Sequence, residues 1–206
     1  MARNAAWSAL ASTVVVITMA ACSAEMDYQR DRESFERTRA RAERGDLVAA
    51  LHLGTSYRRG IGTARDPQAA LYWYELGGPH GGWAAIGTMY EEGDGVDRDP
   101  ERAVSYYLRA SESGDPVSMY RVGCMHGERR ITAPDPVEGY AWLLLAKSIG
   151  DSSGTCLVAH YTCNQWAIKD RPGCRARLRD TLTPEERAEA ERRAGDWLAA
   201  WSRSKK

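Results

Sequence analysis

The feature of this sequence that most constrains its fold is a set of markers that recurs at a nearly constant distance. Three times a glycine is followed twelve residues later by Asp-Pro: Gly54 with Asp66-Pro67, Gly87 with Asp99-Pro100, and Gly123 with Asp135-Pro136. A second series of glycines is spaced by 36, 33 and 36 residues: Gly45, Gly81, Gly114 and Gly150. A period of this size is typical of solenoids of helix pairs, whose stacked units bury a continuous core. We therefore predict an all-α solenoid of three antiparallel helix pairs over residues 45–151.

The Asp-Pro pairs and the recurring glycines have simple physical explanations. Aspartate is a preferred N-cap and proline is favoured in the first helical turn, so each pair predicts where a second helix begins. The glycines lie inside the first helices, where glycine costs about 1 kcal/mol relative to alanine. Because so unfavourable a residue recurs in register, the two helices of each unit are predicted to cross closely there. The small residues expected opposite are Ala70, Ala103 and Gly139.

Aromatic pairs follow the Asp-Pro marker in the first two units, at Trp73-Tyr74 and Tyr106-Tyr107. They could form a ligand cage, but their recurrence with the repeat favours packing between neighbouring helices. The distance from Gly81 to Gly87 is three residues shorter than the distance from Gly45 to Gly54. The first helix of the second unit is therefore predicted to lose nearly one turn at its start.

The segments that flank the repeats are predicted to differ from them. Residues 22–44 comprise a lipidated N-terminus, a polar tether over residues 23–33 and a leading helix over residues 33–43. That helix would be equivalent to the second helix of a half-repeat. Residues 175–206 are predicted to close the other end of the solenoid.

The closing segment contains a strong helix-start signal. Thr183 is a suitable N-cap, Pro184 occupies the first helical position, and Glu186 completes a capping box. The helix that begins there would bring Trp197 and Trp201 against the last repeat.

The N-terminus has the pattern of an export signal. Arg3 precedes an apolar stretch that ends in Met19-Ala20-Ala21-Cys22, which predicts a signal peptide over residues 1–21 and lipidation of Cys22. The alternative is an ordinary signal peptide with an unmodified cysteine. A lipid on Cys22 would place the chain in the bacterial cell envelope, facing the periplasm. Ser23 is not the aspartate that favours inner-membrane retention, so the outer membrane is preferred.

Charge excludes one class of partner. The chain has 28 Lys and Arg residues and 28 Asp and Glu residues. Cleavage after residue 21 removes Arg3 and leaves 185 residues (206 − 21) with a net charge of −1. Without an excess of positive charge, nucleic acid is not an expected partner.

The markers together resemble the Sel1-like repeat family, which is related to the tetratricopeptide repeats. The resemblance covers residues 45–151 and depends on Gly-x-x-Tyr-x-x-Gly-x-Gly motifs in the first two units, at Gly54, Tyr57, Gly60, Gly62 and at Gly87, Tyr90, Gly93, Gly95. The third unit departs from this pattern, because His126 replaces the tyrosine and residues 128–133 lack both loop glycines. A less regular loop is expected there.

The resemblance implies a binding scaffold that needs no cofactor. The first helices would line the concave face and hold a protein or peptide, or a component of the cell wall such as peptidoglycan. Candidate contact residues at exposed positions of these helices are His52, Ser56, Thr88 and Arg121.

Four cysteines remain after Cys22, and three of them lie in a predicted insertion over residues 152–174. In an exported chain an even number of cysteines favours disulfides. We expect one bridge from Cys163 to Cys174 and one from Cys156 to Cys124, with the other pairings open. The alternative is a zinc site formed by Cys156, His160, Cys163 and Cys174, but it lacks a Cys-x-x-Cys motif.

No catalytic residues are predicted. Some cysteine-rich relatives of this family are catalogued as β-lactamases, so a hydrolase of β-lactams or peptidoglycan is the alternative function. The sequence has no Gly-x-Ser-x-Gly motif, and its only Ser-x-x-Lys pair joins Ser202 to Lys205 near the C-terminus. The acidic loop over residues 91–99 does not follow the calcium-binding order.

Overall fold

The computed structural model describes residues 25–127, 130–153 and 178–204. Within these ranges all regular structure is helical, which confirms the predicted all-α class. Numbered in chain order, the α-helices are α1 (residues 25–42), α2 (Leu47–Arg59), α3 (Pro67–Gly77), α4 (Gly82–Glu92), α5 (Pro100–Glu112), α6 (Pro116–Gly127), α7 (Pro136–Ser153), α8 (residues 178–181) and α9 (Pro184–Ser204). Three helix pairs, α2–α3, α4–α5 and α6–α7, form the predicted repeats.

Aspartates cap every helix of the three pairs except α4, which follows Gly81 without a side-chain cap. Asp66, Asp99 and Asp135 start the second helices and accept a hydrogen bond from the backbone N–H three residues later, at 3.0, 3.0 and 3.1 Å. Asp46 and Asp115 cap the first helices α2 and α6 in the same way, at 2.9 and 3.0 Å. Each cap contributes about 1 kcal/mol to helix stability.

The recurring glycines mark close helix crossings, but the residues opposite differ from those predicted. A Cβ atom on Gly54 would lie 2.6 Å from the Tyr74 ring, and one on Gly87 would lie 2.7 Å from the Tyr107 ring. The residues nearest to these glycines are therefore the tyrosines and not the predicted Ala70 and Ala103. Both alanines are fully buried, but the tyrosines lie one turn farther along the second helix and fill the space above the glycine.

In the third pair the close contact at Gly123 is with α7. A Cβ atom there would lie 2.6 Å from Leu143 Cγ and 2.7 Å from the carbonyl oxygen of Gly139. The expected contact between Gly123 and Gly139 is confirmed. Here the second-helix residue that packs on the glycine is a leucine instead of a tyrosine.

The helix before the repeats is longer than predicted. The tether expected over residues 23–33 is wrong for residues 25–33, because α1 is continuous from residue 25. Side-chain bonds from Gln29 to Glu25 and from Arg30 to Asp27 stabilise its first turns without an apolar stripe. Apolar periodicity alone therefore gave the wrong starting point.

The predicted role of α1 as the second helix of a half-repeat agrees with the loop contacts. Gly62 has a φ of 69° and lies against the backbone of Asp31 in α1. Its counterpart Gly95 has a φ of 77° and lies against Pro67, the first residue of α3. A side chain at either glycine would meet atoms of the preceding second helix, so α1 and α3 support the following loops in the same way.

The predicted shortening in the second pair is present. A 3₁₀ turn over Gly78–His80 precedes α4, which begins at Gly82, two residues later than the position equivalent to the start of α2. At the end of the repeats, α7 continues through Ser153, so the first two residues of the predicted insertion belong to this helix.

The C-terminal helices complete the core of the third pair. The predicted capping box is confirmed: the Thr183 N–H donates to Glu186 Oε2 at 2.8 Å, and the Glu186 N–H donates to Thr183 Oγ1 at 3.2 Å. In α9, Ala190 is fully buried, and Trp197 packs edge-on against Trp142 of α7. One continuous buried cluster joins α5, α6, α7, α8 and α9, whereas two smaller clusters occupy the N-terminal half.

Candidate functional site

The first helices α2, α4 and α6 carry equivalent residues that define one face of the repeats. This face, which we call the first-helix face, consists of five residues. Three of them occupy equivalent positions in the repeats: His52, Ala85 and Arg121. The other two, Arg59 and Glu92, lie near the ends of α2 and α4. His52, Arg59 and Glu92 are exposed, whereas Ala85 and Arg121 are half-buried.

Tyrosine hydroxyls lie beneath this face in the first two pairs. Tyr74 donates a hydrogen bond to Thr55 Oγ1 at 3.1 Å. In the second pair the hydroxyls of Tyr107 and Thr88 are 3.2 Å apart, and Tyr107 donates to Glu91 Oε2 at 2.7 Å. Each bond joins the second helix of a pair to its first helix.

Glu91 is the centre of a buried ionic network between the second and third pairs. Its side chain is only 10% exposed and accepts from Arg121 of α6 at 2.5 Å and from Arg130 at 2.8 Å. We name Glu91, Tyr107, Arg121 and Arg130 the Glu91 network. Because its members come from α4, α5, α6 and the loop that follows α6, it fixes the orientation of α4 relative to α6.

A second network joins the first and second pairs. Asp94 follows α4 and accepts a hydrogen bond from Arg58 of α2 at 2.7 Å. Arg65, in the loop after α2, contacts the other carboxylate oxygen of Asp94. The same Arg65 donates to the carbonyl oxygen of Arg58 at 3.0 Å, so the loop is tied to the end of its own helix.

The electrostatic balance keeps both central carboxylates ionised. Burial opposes ionisation of Glu91, but Arg121, the Tyr107 hydroxyl and Arg130 together hold its pKa below the usual value. Burial also opposes ionisation of Asp94, and Arg58 and Arg65 lower its pKa. Burial raises the pKa of Tyr107, which therefore stays a neutral donor. The carboxylates and arginines carry fixed charges, and together with the Tyr107 hydroxyl they hold the helices together.

The four predicted contact residues have different environments. His52 is exposed as expected. Ser56 is half-buried, and its equivalents Met89 and Met125 are fully buried, so this position is turned toward the interior. The expectation that Ser56 is exposed is therefore wrong.

Thr88 and Arg121 are also less exposed than predicted. The Thr88 hydroxyl donates to the Ala84 carbonyl oxygen at 3.0 Å and lies beside Tyr107. The Arg121 side chain is 17% exposed because it turns toward Glu91. Whether any of the four residues contacts a partner stays a prediction.

The predicted cysteine sites fall largely outside the described residues. Cys124 lies half-buried in α6, whereas Cys156, His160, Cys163 and Cys174 belong to the range that is not described. The disulfides and the zinc alternative therefore stay predictions. Among the described residues no group of three or more His, Cys, Asp or Glu side chains could hold a metal ion.

Most of the predicted sites near the N-terminus and the C-terminus are also not described by the structure. The signal peptide, Cys22 and Lys205 also lie outside the described residues. Ser202 is described, and its hydroxyl donates to the carbonyl oxygen of Ala199 at 3.0 Å. Of the helices in the described ranges, none combines the length and the apolar character needed to cross a bilayer.

A comparison with protein families decides the identity of the repeats. The model of the Sel1 repeat matches residues 47–78, 84–115 and 116–151. The chain belongs to the Sel1-like repeat family. Its three family repeats coincide with the helix pairs described above, and Sel1 repeats are helical scaffolds that mediate protein interactions. None of the curated proteins matches the chain.

Solved structures of other Sel1-like proteins have the same fold. A Sel1 repeat protein from Oxalobacter formigenes superposes with a TM-score of 0.54 at 27% identity, covering 61% of this chain and 56% of that one. A protective antigen present in uropathogenic Escherichia coli strains, displaying an SLR fold, superposes with a TM-score of 0.56 at 18% identity. That superposition covers 87% of this chain and 36% of the antigen. This chain thus spans less than two thirds of either protein.

Sequence reasoning on this Sel1-like protein missed both ionic networks. Glu91 and Arg121 are thirty residues apart, and Arg58 and Asp94 are thirty-six apart, so no local pattern links them. One signal was present: Glu91 occupies the position that Arg58 holds in the first repeat. A change of charge at an otherwise equivalent position indicates a role specific to that repeat.

Proposed function

We propose that this protein is an envelope-anchored scaffold that holds a protein or peptide partner on its first-helix face. The observation that carries the proposal is the pair of ionic networks. They join α2 to the segment after α4, and α4 to α6, and both lie at the edges of neighbouring repeats. The first-helix face is consequently pre-organised across three repeats, which reduces the entropic cost of binding an extended partner.

The proposed binding surface has polar and ionic character. His52, Arg59 and Glu92 are exposed on it. Ala85, which is half-buried, occupies in α4 the position that His52 has in α2. A surface that offers mixed charge suits a polar segment of another protein. Peptidoglycan is the second ligand class to be separated by experiment.

Anchoring is the other part of the proposal, and it is supported by the sequence at the N-terminus. Met19-Ala20-Ala21-Cys22 follows an apolar stretch, and acylation of Cys22 would add about 0.8 kcal/mol of membrane affinity per buried methylene group. Since residue 25 is already helical, the folded domain would start within three residues of the lipid. We place the protein at the periplasmic side of the outer membrane.

Site-specific photo-crosslinking of the full chain in the bacterial envelope tests the binding surface. A photoreactive amino acid replaces His52 or Ala85 on the first-helix face, and matched controls replace the exposed Tyr72 or Ser105 on second helices of the same repeats. Protein adducts from the first two positions and none from the controls are expected. Adducts confined to Tyr72 and Ser105 would contradict the proposal, and adducts removed by muramidase but not by protease would identify peptidoglycan instead.

Replacement of the predicted acylated cysteine tests the anchor separately. The variant Cys22→Ser is expected to leave the membrane fraction and to lose incorporation of labelled fatty acid. Retention of the variant in the membrane fraction, with unchanged labelling, would contradict lipidation at this residue.

A further inference from the structure

The three repeats use different acceptors for one equivalent hydrogen bond. In the first repeat the N–H of Asp66 donates to the carbonyl oxygen of Tyr57 at 2.8 Å, and in the second the N–H of Asp99 donates to the carbonyl oxygen of Tyr90 at 2.9 Å. In the third repeat the N–H of Asp135 donates to the side chain of His126, at 3.1 Å from Nδ1. This bond connects the end of each first helix to the N-cap of the second helix.

The substitution changes how the bond responds to pH. A backbone carbonyl is not protonated in the physiological range, whereas histidine is the side chain whose charge changes between about pH 5 and pH 8. Nδ1 of histidine can accept a hydrogen bond only while it carries no hydrogen itself. Protonation of His126 therefore removes the acceptor and leaves two N–H donors facing each other.

The surroundings of His126 favour its neutral form. Burial lowers its pKa, while the carboxylates of Glu138 and Asp135 oppose this effect without reversing it. Arg193 of α9 lies 3.2 Å from the Glu138 carboxylate and 3.4 Å from that of Asp135, which reduces their influence on the imidazole. The same arginine connects the start of α7 to the closing helix.

Two other charged contacts hold the loop that precedes Asp135. Arg130 pairs with Glu91 at 2.8 Å, and the Thr132 N–H donates to Glu101 of α5 at 2.8 Å. Hydrogen bonds from Thr132 lower the pKa of Glu101, and the pKa values of Glu91 and Asp135 are also lowered. Among the groups whose pKa shift is known around this loop, His126 is the one whose ordinary pKa lies nearest to neutral pH.

We propose that His126 makes the junction between α6 and α7 an acid-sensitive joint. At neutral pH its imidazole holds Asp135, the N-cap of α7. Protonation of the imidazole releases Asp135. Because Arg193 of α9 binds the carboxylates of Asp135 and Glu138, the release also loosens the closing helix. The first two repeats keep their carbonyl acceptors and are unaffected.

The direction of the pH dependence follows from linkage. The unfolded chain binds a proton at His126 near the ordinary histidine pKa of about 6.5, whereas the folded chain does so only at lower pH. The stabilisation is therefore complete above the unfolded value and is lost as the pH falls below it.

Titration of the wild-type protein by NMR tests the joint, and a substitution serves only to assign the signals. The imidazole resonances of His126, assigned by their absence in a His126→Gln variant, are expected to titrate at lower pH than those of a histidine in an unstructured peptide. The amide signal of Asp135 should shift with the same midpoint. Titration of His126 at or above the peptide value would overturn the proposal.

Hydrogen exchange between about pH 7.5 and about pH 5.5, corrected for intrinsic rates, supplies the second measurement. Acidification is expected to increase exchange at the start of α7 and in α9 of the wild type, and this increase should be lost in His126→Gln. The control His80→Gln removes an exposed histidine and should respond like the wild type. An equal acid response in His126→Gln and the wild type would overturn the proposal.

Discussion

In the first two repeats a tyrosine packs on the crossing glycine and its hydroxyl bonds to the first helix, whereas in the third repeat a leucine takes that place. Tyr74 and Tyr107 bond to Thr55 and to Glu91, while Leu143 packs on Gly123 without a hydroxyl. The first two repeats are thus closed by polar contacts of their own, together with arginine bonds between loop and helix end. The third repeat instead shares one apolar cluster with α8 and α9 on one side and with α5 of the second repeat on the other.

Repeats with the same markers can thus be completed in two ways. A regular loop with two glycines can close on its own helix end, as Arg65 does with the Arg58 carbonyl and Arg98 with the Glu91 carbonyl. Pro134 occupies the equivalent position in the third repeat and has no side-chain donor. The third repeat consequently depends on the C-terminal cap.

The largest effect is expected from removing apolar volume in the third repeat. Leu143 is 1% exposed, so Leu143→Ala should lower the free energy of unfolding by about 2–5 kcal/mol. Urea unfolding followed by circular dichroism measures the change. The neighbouring Leu144, which is half-buried, serves as the control, and an equal or larger loss in Leu144→Ala would contradict the packing described for Leu143.

The next effect separates the two tyrosine hydroxyls. Tyr107→Phe removes one of the three donors to the buried Glu91 and should cost about 1.5–3 kcal/mol, as expected for a hydrogen bond to a charged group. Tyr74→Phe removes a bond between neutral hydroxyls and should cost about 0.5–1.5 kcal/mol. Equilibrium unfolding of both variants provides the comparison, and equal losses would show that Glu91 is not stabilised by Tyr107.

Filling a helix crossing should have a smaller net effect. In Gly87→Ala the added Cβ would lie 2.7 Å from the Tyr107 ring, and overpacking of this kind costs about 1–3 kcal/mol. The better helix propensity of alanine offsets about 1 kcal/mol of this overpacking cost. Gly195→Ala in α9 meets no atom within 4 Å and should stabilise the protein, so thermal unfolding of the two variants should shift in opposite directions.

The smallest effect concerns the start of the closing helix. Thr183→Ala removes the N-cap acceptor for the Glu186 N–H and should cost about 1 kcal/mol. Hydrogen exchange should show the loss in α9 and in the third repeat. A loss of protection that is largest in α2 would contradict the local role of this cap.

The parts of the fold that depend on neighbouring residues could be predicted from the sequence. The Asp-Pro caps, the Thr183 capping box and the number of helix pairs follow from the chemistry of a few adjacent positions. The start of α1 was placed wrongly because its first turns are stabilised by i, i+4 and i, i+3 side-chain pairs, which leave no apolar pattern.

Contacts between helices were predicted less well, because they depend on how each helix is rotated. The glycines at positions 54 and 87 were recognised as crossings, but the choice between Ala70 and Tyr74 is made by the packing of the pair. Ser56 was placed on the wrong face for the same reason. The Glu91 network joins residues from three helices and a loop, and only the folded chain brings them together.

The dependence of the third repeat on the cap is tested most directly by hydrogen exchange of the full chain with α9 detached. Ala190→Glu places a carboxylate at a fully buried position of α9, and Ala200→Glu makes the same change at an exposed one. In Ala190→Glu, amides of α6 and α7 should lose protection while those of α2 and α3 retain it, and Ala200→Glu should resemble the wild type. An equal loss of protection in α2 and α7 would contradict the dependence of the third repeat on the cap.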